Sequence, residues 1–291
     1  MVIKPPDFRA VCKNGDKGGE VMENAPKYPI LLVHGMGFRD NKNIEYWGRI
    51  PKALTSIGCR IFHGEQDSNA TIETNARAIA QRIDDITRQC GAEKVNIIAH
   101  SKGGLDSRYA ISTLNMGGKV ASLTTICTPH HGSKTVDALM KFPQILVKFV
   151  GLCADLCVRL IGDKDPDSYK VFHSLTTSAA EEFNLNNPDD EGVYYQSYAF
   201  AMKNPLSDIF MWFPNLVVGI FEGENDGLVT PRSAEWTNFK GIYRGAGNRG
   251  VSHCDEVDMR RKKVSIQTKD GVIDIVDIYK NIVRDLIKMG F

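Results

Sequence analysis

The chain predicts an α/β fold: a mainly parallel central sheet with helices on both faces and a helical insertion. Three observations carry this. Short continuous apolar runs, such as Tyr28 to Val33 and Val95 to Ala99, recur along the chain and read as buried parallel strands. Between them lie amphipathic stretches of helical period. One run leads through His100-Ser101-Lys102-Gly103-Gly104 directly into a helical pattern. Strands alternating with helices of this length imply a parallel sheet covered on both sides.

Taken in order, residues 1–27 are rich in Gly, Lys, Pro and Asn and read as an irregular arm. Tyr28 to Val33 is the first strand and ends at His34-Gly35; Arg60-Ile61-Phe62 is the second. Between Ile72 and Ile86, apolar residues at 72, 76, 79, 83 and 86 share one helical face. Val95 to Ala99 is followed by a helix from Gly103 to about Asn115. Leu123 to Cys127, Tyr194 to Phe200 and Val217 to Phe221 read as further strands. The tail from Asp274 to Met289 carries Val276, Tyr279, Ile282, Val283, Leu286 and Ile287 at helical spacing.

The segment 134–182 breaks the alternation. From Pro143 to Gly162, apolar residues at 145, 146, 149, 150, 152, 153, 156, 157, 160 and 161 form a broad helical stripe, interrupted by Lys148, Asp155 and Arg159. Such a helix either packs on the core or forms a mobile lid over a lipid-binding cleft. No repeat or linker divides the chain. Residues 1–291 therefore read as a single domain with a lid or cap insertion at about 134–182.

Composition narrows the partners. The chain is 42% hydrophobic and 24% charged, with a net charge of +1, so charge selects neither nucleic acid nor a membrane surface. The basic run Arg260-Arg261-Lys262-Lys263 reads as solvated surface. Seven cysteines at irregular spacing, with no C-x-x-C pair, fit a reducing compartment better than a zinc ribbon or a disulfide framework. The N-terminus lacks the apolar core of a signal peptide, which fits a cytoplasmic protein, or a secreted one if the sequence has been trimmed. No apolar run reaches membrane-spanning length, so no transmembrane anchor is expected.

The chemistry concentrates at Ala99-His100-Ser101-Lys102-Gly103, a G-x-S-x-G pattern with Ala in the first place. A buried strand before it and a helix after it make a nucleophile elbow, a tight turn that exposes the serine hydroxyl. The following helix aims its N-terminal N–H groups at charge developing beside the serine. A serine needs a base, and the base needs an orienting acid, here in the order Ser, acid, His. His253 is the only histidine after His173 and lies in a loop-like stretch. Asp226, in Glu224-Asn225-Asp226-Gly227-Leu228-Val229, is the candidate acid, placed after the run 217–221; Glu222 and Glu224 compete with it. The backbone N–H groups of Met36 and Lys102 are the candidate oxyanion donors.

These pieces resemble the bacterial true lipases, the triacylglycerol lipases of the α/β-hydrolase superfamily. The matching stretches are Leu32-Val33-His34-Gly35-Met36, Tyr46-Trp47, Lys94 to Ser101, Thr128-Pro129-His130-His131-Gly132-Ser133, Asn225 to Val229 and His253-Cys254-Asp255-Glu256-Val257. The resemblance implies an α/β-hydrolase fold, Ser101 as nucleophile with Asp226 and His253, and Met36 and Lys102 at the oxyanion. It also implies a lid after Ser133 and an ester or lipid substrate met at an oil–water interface. Lys102 departs from the family, whose secreted members often carry His, Gln or Met after the nucleophile. No cofactor is required. A structural calcium near the histidine is left open, with Asp255 suited to one ligand position; Asp208 is the other candidate but reads as a surface aspartate. A short-chain carboxylesterase or acyltransferase would use the same residues, and an inactive hydrolase-fold binding protein is the reading from another class.

Overall fold

The computed structural model describes residues 25–39 and 45–291. The arm expected over 1–27 lies outside these residues apart from its last three positions.

The centre is an eight-stranded sheet: β1 (Ile30–Val33), β2 (Ile61–His63), β3 (Val95–His100), β4 (Val120–Ile126), β5 (Tyr194–Ala201), β6 (Phe239–Gly245), β7 (Ser265–Thr268) and β8 (Gly271–Asp274). The order is β2-β1-β3-β4-β5-β6-β7-β8. Pairings from β2 through β6 are parallel, and β6–β7 and β7–β8 are antiparallel. This is the α/β-hydrolase fold, as read from the sequence. Alternate residues of β1 enter different cores. Ile30 and Leu32 pack with Trp47, Ile50, Ile126 and Tyr279, whereas Leu31 and Val33 pack with Ile79, Ile83, Ile97 and Leu123. Both faces are thus dry, which is why the strands lack a polar alternation.

Helices cover the sheet: α1 (Ile50–Thr55), α2 (Ile72–Cys90), α3 (Lys102–Ile111) and, at the C-terminus, α10 (Ile275–Lys288). The α2 stripe Ile72, Ala76, Ile79, Ile83 and Ile86 is buried as its spacing requires, and Gly91 closes that helix at φ 58°. The α10 helix starts in a capping box formed by Asp274 and Asp277.

Between β4 and β5 lie four helices: α4 (Lys134–Leu139), α5 (Gln144–Leu160), α6 (Ser168–Ser174) and α7 (Thr177–Asn186). The α5 stripe does not pack on the core. Ile145 is 82% and Leu160 89% exposed, and Phe149, Leu152 and Leu156 are also exposed. Of its polar interruptions Asp155 is half-buried, whereas Lys148 and Arg159 are exposed. Asp155 accepts the Ser168 N–H at 2.8 Å, and the Lys148 ammonium lies over the Tyr169 ring.

One expected strand is not a strand. Val217 to Phe221 lies within α8 (Trp212–Glu222), which buries Asn215 and Val218 and exposes Trp212, Phe213, Leu216, Ile220 and Phe221. A short apolar run has no periodicity of its own to separate helix from strand. The helical stripe shows only when Trp212, Phe213 and Leu216 are included. A one-turn helix, α9 (Pro231–Ala234), precedes β6. None of the described helices is long and apolar enough to cross a membrane.

Candidate active site

The site stands at the carboxyl ends of β1, β3, β4 and β5, where an open α/β sheet places its crevice. Ser101 occupies the turn between β3 and α3 with φ 54°, a left-handed conformation strained for a non-glycine residue. The turn is pinned on both sides. The Ser101 N–H donates to the Ile126 carbonyl at 2.9 Å, and the Thr128 hydroxyl donates to the Ser101 carbonyl at 2.8 Å. Close approach then demands small neighbours. A Cβ on Gly103 would sit 2.4 Å from the His34 carbonyl oxygen, and one on Gly35 would sit 2.7 Å from the Ser101 Cβ. These contacts explain the small residues around the serine and the Gly after His34.

Asp226 and His253 meet. His253 Nδ1 lies 2.7 Å from Asp226 Oδ2, and the His253 N–H donates to the Asp226 carbonyl at 2.8 Å. The other Asp226 oxygen accepts the N–H groups of Leu228 and Val229, each at 2.8 Å. Asp226 is fully buried. Burial alone would raise its pKa, but the attraction and hydrogen bond of His253 outweigh it and hold the carboxyl down at about 2. His253 packs on His100, the residue before Ser101, with ring centroids 4.4 Å apart.

Asp226 does not follow a strand, contrary to the sequence reading. It follows α8. The loop reaches the sheet because the Met202 N–H, just past β5, donates to the Asn225 carbonyl at 2.9 Å, so α8 is an excursion between β5 and Asp226. The two competing acids are held elsewhere. Glu222 accepts from Ser133 Oγ at 2.6 Å and from the Thr135 N–H and hydroxyl at 2.9 and 2.8 Å. Glu224 forms a two-pronged pair with Arg244 at the surface.

Sequence reasoning missed the roles of Glu256, His100 and Tyr46. Glu256 is fully buried, and its carboxyl lies with Asp226 and Cys127 in a group whose ligand atoms fall within 4.8 Å of one another. Burial, then the negative charge of Asp226, pushes Glu256 well above the usual carboxylate range, so it stays protonated. Burial and the neighbouring His253 hold His100 well below the usual imidazole range, hence neutral. Tyr46 OH lies 2.6 Å from His100 Nδ1, and His100 Nε2 lies 3.0 Å from Glu256 Oε2. With Tyr46 donating to Nδ1, the Nε2–H donates to Glu256. The His253-x-x-Glu256 spacing was the available clue. His100, His253 and Glu256 also bring ligand atoms together as a metal site would, and the buried Glu256 Oε1 has no hydrogen-bond partner among the described residues.

The candidate oxyanion donors lie on the loops flanking Ser101. The Tyr46 hydroxyl accepts the Gly35 N–H at 3.0 Å, and Asn69 Oδ1 accepts the Gly37 N–H at 3.0 Å, fixing the segment that carries Met36. The Lys102 side chain turns into the core, where its ammonium donates to both Asp106 oxygens at 2.7 and 2.9 Å. Among the described residues the backbone N–H groups of Met36 and Lys102 carry no hydrogen bond. Two further expectations are corrected here. Asp208 is buried rather than on the surface, and Arg260 of the basic run turns inward to acidic partners instead of into solvent.

The sequence profile of the palmitoyl protein thioesterase family matches residues 29–264, a span that takes in every residue of this site. The chain belongs to this family. As a family member it is an ester hydrolase, and the lipase resemblance read from the motifs holds. Triacylglycerol lipase 2 of Saccharomyces cerevisiae is 29% identical, over 87% of this chain and 78% of that protein. A triacylglycerol lipase of Vibrio cholerae is also 29% identical, over 80% of each. Among solved structures, the mature lipase of Bacillus licheniformis shares the fold with a TM-score of 0.63, at 22% identity over 84% of this chain and 90% of that one.

Proposed function

We propose that this family member hydrolyses carboxylic esters of acylglycerol-like lipids through an acyl-enzyme on Ser101. The observation that carries the reading is the joint placement of a strained serine at a strand-to-helix turn and a buried Asp226–His253 pair packed against the residue before it. His253 Nε2 takes the Ser101 hydroxyl proton as Oγ attacks the ester carbonyl. Asp226 holds the tautomer with Nδ1–H and stabilises the imidazolium. The N–H groups of Met36 and Lys102 take the developing oxyanion. Collapse expels the alcohol, which leaves with the proton from His253. Water then repeats the sequence on the acyl-enzyme and releases the acid. No metal or cofactor takes part in these steps.

The acyl part of the substrate is read from α5 and α8. Their exposed apolar faces, with an apolar recess lined by Leu139, Phe142, Leu146, Val150 and Phe172, suit an insoluble substrate. In this reading 143–161 is a lid, seen with its apolar face turned outward. The relatives named for triacylglycerol hydrolysis support an oxygen ester. The family match supports a second reading, a long-chain thioester.

A hydrolysis profile over p-nitrophenyl esters of increasing acyl length, an emulsified triglyceride and a palmitoyl thioester separates these readings. Turnover that grows with acyl length and includes the triglyceride is expected. Turnover confined to short soluble esters would establish a carboxylesterase instead, and a preference for the thioester would establish the second reading.

A further inference from the structure

The lipase resemblance leaves open a structural calcium near His253, with Asp255 suited to one ligand position and Asp208 the candidate for the other. Both side chains are buried, 2% and 0% exposed. Their oxygens are already taken. Asp208 Oδ1 accepts the Phe210 N–H at 2.8 Å, and Oδ2 accepts the Ser252 hydroxyl at 2.5 Å and lies 3.3 Å from the Arg260 guanidinium. Asp255 Oδ2 accepts from Arg249 at 3.0 Å and from the Ser252 N–H at 3.2 Å. Asp255 Oδ1 accepts from Arg260 and, at 3.3 Å, from Arg249. Arg249 Nε also donates to the Ser207 carbonyl at 2.5 Å. A calcium ion needs roughly six to eight oxygens at about 2.3–2.6 Å. Here it would have to enter between two guanidinium groups and strip them of their partners. The residues do not fit the ion.

We propose that Arg249 and Arg260 stand in place of that calcium, so that the loop carrying His253 is anchored without metal. The charges balance as they would around the ion: two guanidinium groups supply the two positive charges that one divalent cation would bring to Asp208 and Asp255. Arginine suits the task because its charge is permanent and its planar fork can serve two carboxylates and a carbonyl at once. The clamp also joins the right segments. Arg249, Ser252, Asp255 and Arg260 bracket His253, whereas Ser207 and Asp208 lie between β5 and α8. Arg249 and Arg260 are thus positioning residues, acting on His253 through the loop.

The test is thermal unfolding of the whole enzyme in EDTA and in millimolar CaCl2, with calorimetric titration using Ca2+ alone as the probe. The wild type should show the same Tm in both and bind no calcium. Arg249→Gln with Arg260→Gln should lower Tm by on the order of 5 °C. It should also lower kcat on a soluble ester by about tenfold or more, with KM little changed. Calcium should restore part of that Tm, because the two carboxylates are then free to take it. If the double variant does not fold, Arg249→Gln alone carries the Tm and kcat comparison; Arg260 still occupies Asp255 and Asp208 in it, so calcium should not rescue it, and an unchanged Tm and kcat would overturn the proposal. A wild type stabilised by calcium, a double variant as stable as the wild type, or a destabilised double variant that calcium does not rescue would each overturn the proposal. The Tm readout is independent of the chemistry at Ser101.

Discussion

At the scale of single residues, two buried carboxyl groups beside each other divide the labour by environment. Asp226 is ionised, with a folded pKa of about 2 against an ordinary 3.8. Its contribution to stability is complete above the ordinary value and is lost as pH falls toward 2. Glu256 is the opposite case, raised by burial and by Asp226. It remains protonated in the fold while the unfolded chain ionises above its ordinary 4.5, so it erodes stability as pH rises from there. Glu256→Gln removes that erosion. The Tm of this variant relative to wild type should therefore climb between pH 5 and 7, in step with a slope of about 1.4 kcal/mol per pH unit at most. A constant difference across that range would mean that Glu256 is ionised in the fold. The acid assignment is tested in parallel by kcat. Asp226→Asn should cut it by about 10⁴-fold by disturbing the His253 tautomer. Glu222→Gln and Glu224→Gln should leave kcat within a few-fold of wild type. A reversed pattern would move the acid to one of those residues.

At the scale of elements, α5 and α8 turn their apolar sides out. Exposed stripes of this size are costly in water and favour burial at an oil surface. An interface should thus bind one arrangement of α5 more strongly and shift the population toward it. Activity on a long-chain ester should rise disproportionately once the substrate exceeds its solubility. Replacing Leu146, Phe149 and Leu156 with Ser should weaken this rise more than it weakens hydrolysis of a dissolved short ester. Simple saturation through the solubility limit, with equal losses on both substrates, would make α5 an ordinary surface helix. The same two helices mark where the sequence was harder to read. The α5 stripe was plain, but apolar spacing does not say whether a face meets core or solvent. The run Val217 to Phe221 was too short to reveal its period.

At the scale of the whole molecule, the parallel sheet was legible because continuous apolar runs have few uses other than a strand dry on both faces. The turn at Ser101 was legible because an elbow needs strand, tight turn and helix in immediate succession. The pairing of Asp226 with His253 was legible only through chain order, since α8 hides the link between β5 and Asp226. The edge was not legible. Lys240, Gly241 and Arg244 interrupt β6, and β7 and β8 are four residues each. Nor could spacing reveal that Arg49 ties distant parts together. It pairs with Asp258 at 2.7 Å and with Asp274 at 2.8 Å, joining the start of α1, the segment after His253 and the cap of α10. Arg49→Ala leaves Asp258 buried without its partner. It should cost about 2 kcal/mol, less than for a fully buried pair because Arg49 is part-exposed. That is a Tm loss of roughly 4–8 °C. An unchanged Tm would show that the network contributes no net stability.

Covalent labelling decides whether Ser101 is the nucleophile. Native enzyme treated with an organophosphonate fluorophore and digested should carry the label on the peptide containing Ser101, in proportion to activity lost. Ser101→Ala should take no label, keep its Tm and lose ester hydrolysis by several orders of magnitude. Label on another serine, or full activity in the folded Ser101→Ala variant, would show that Ser101 is not the nucleophile.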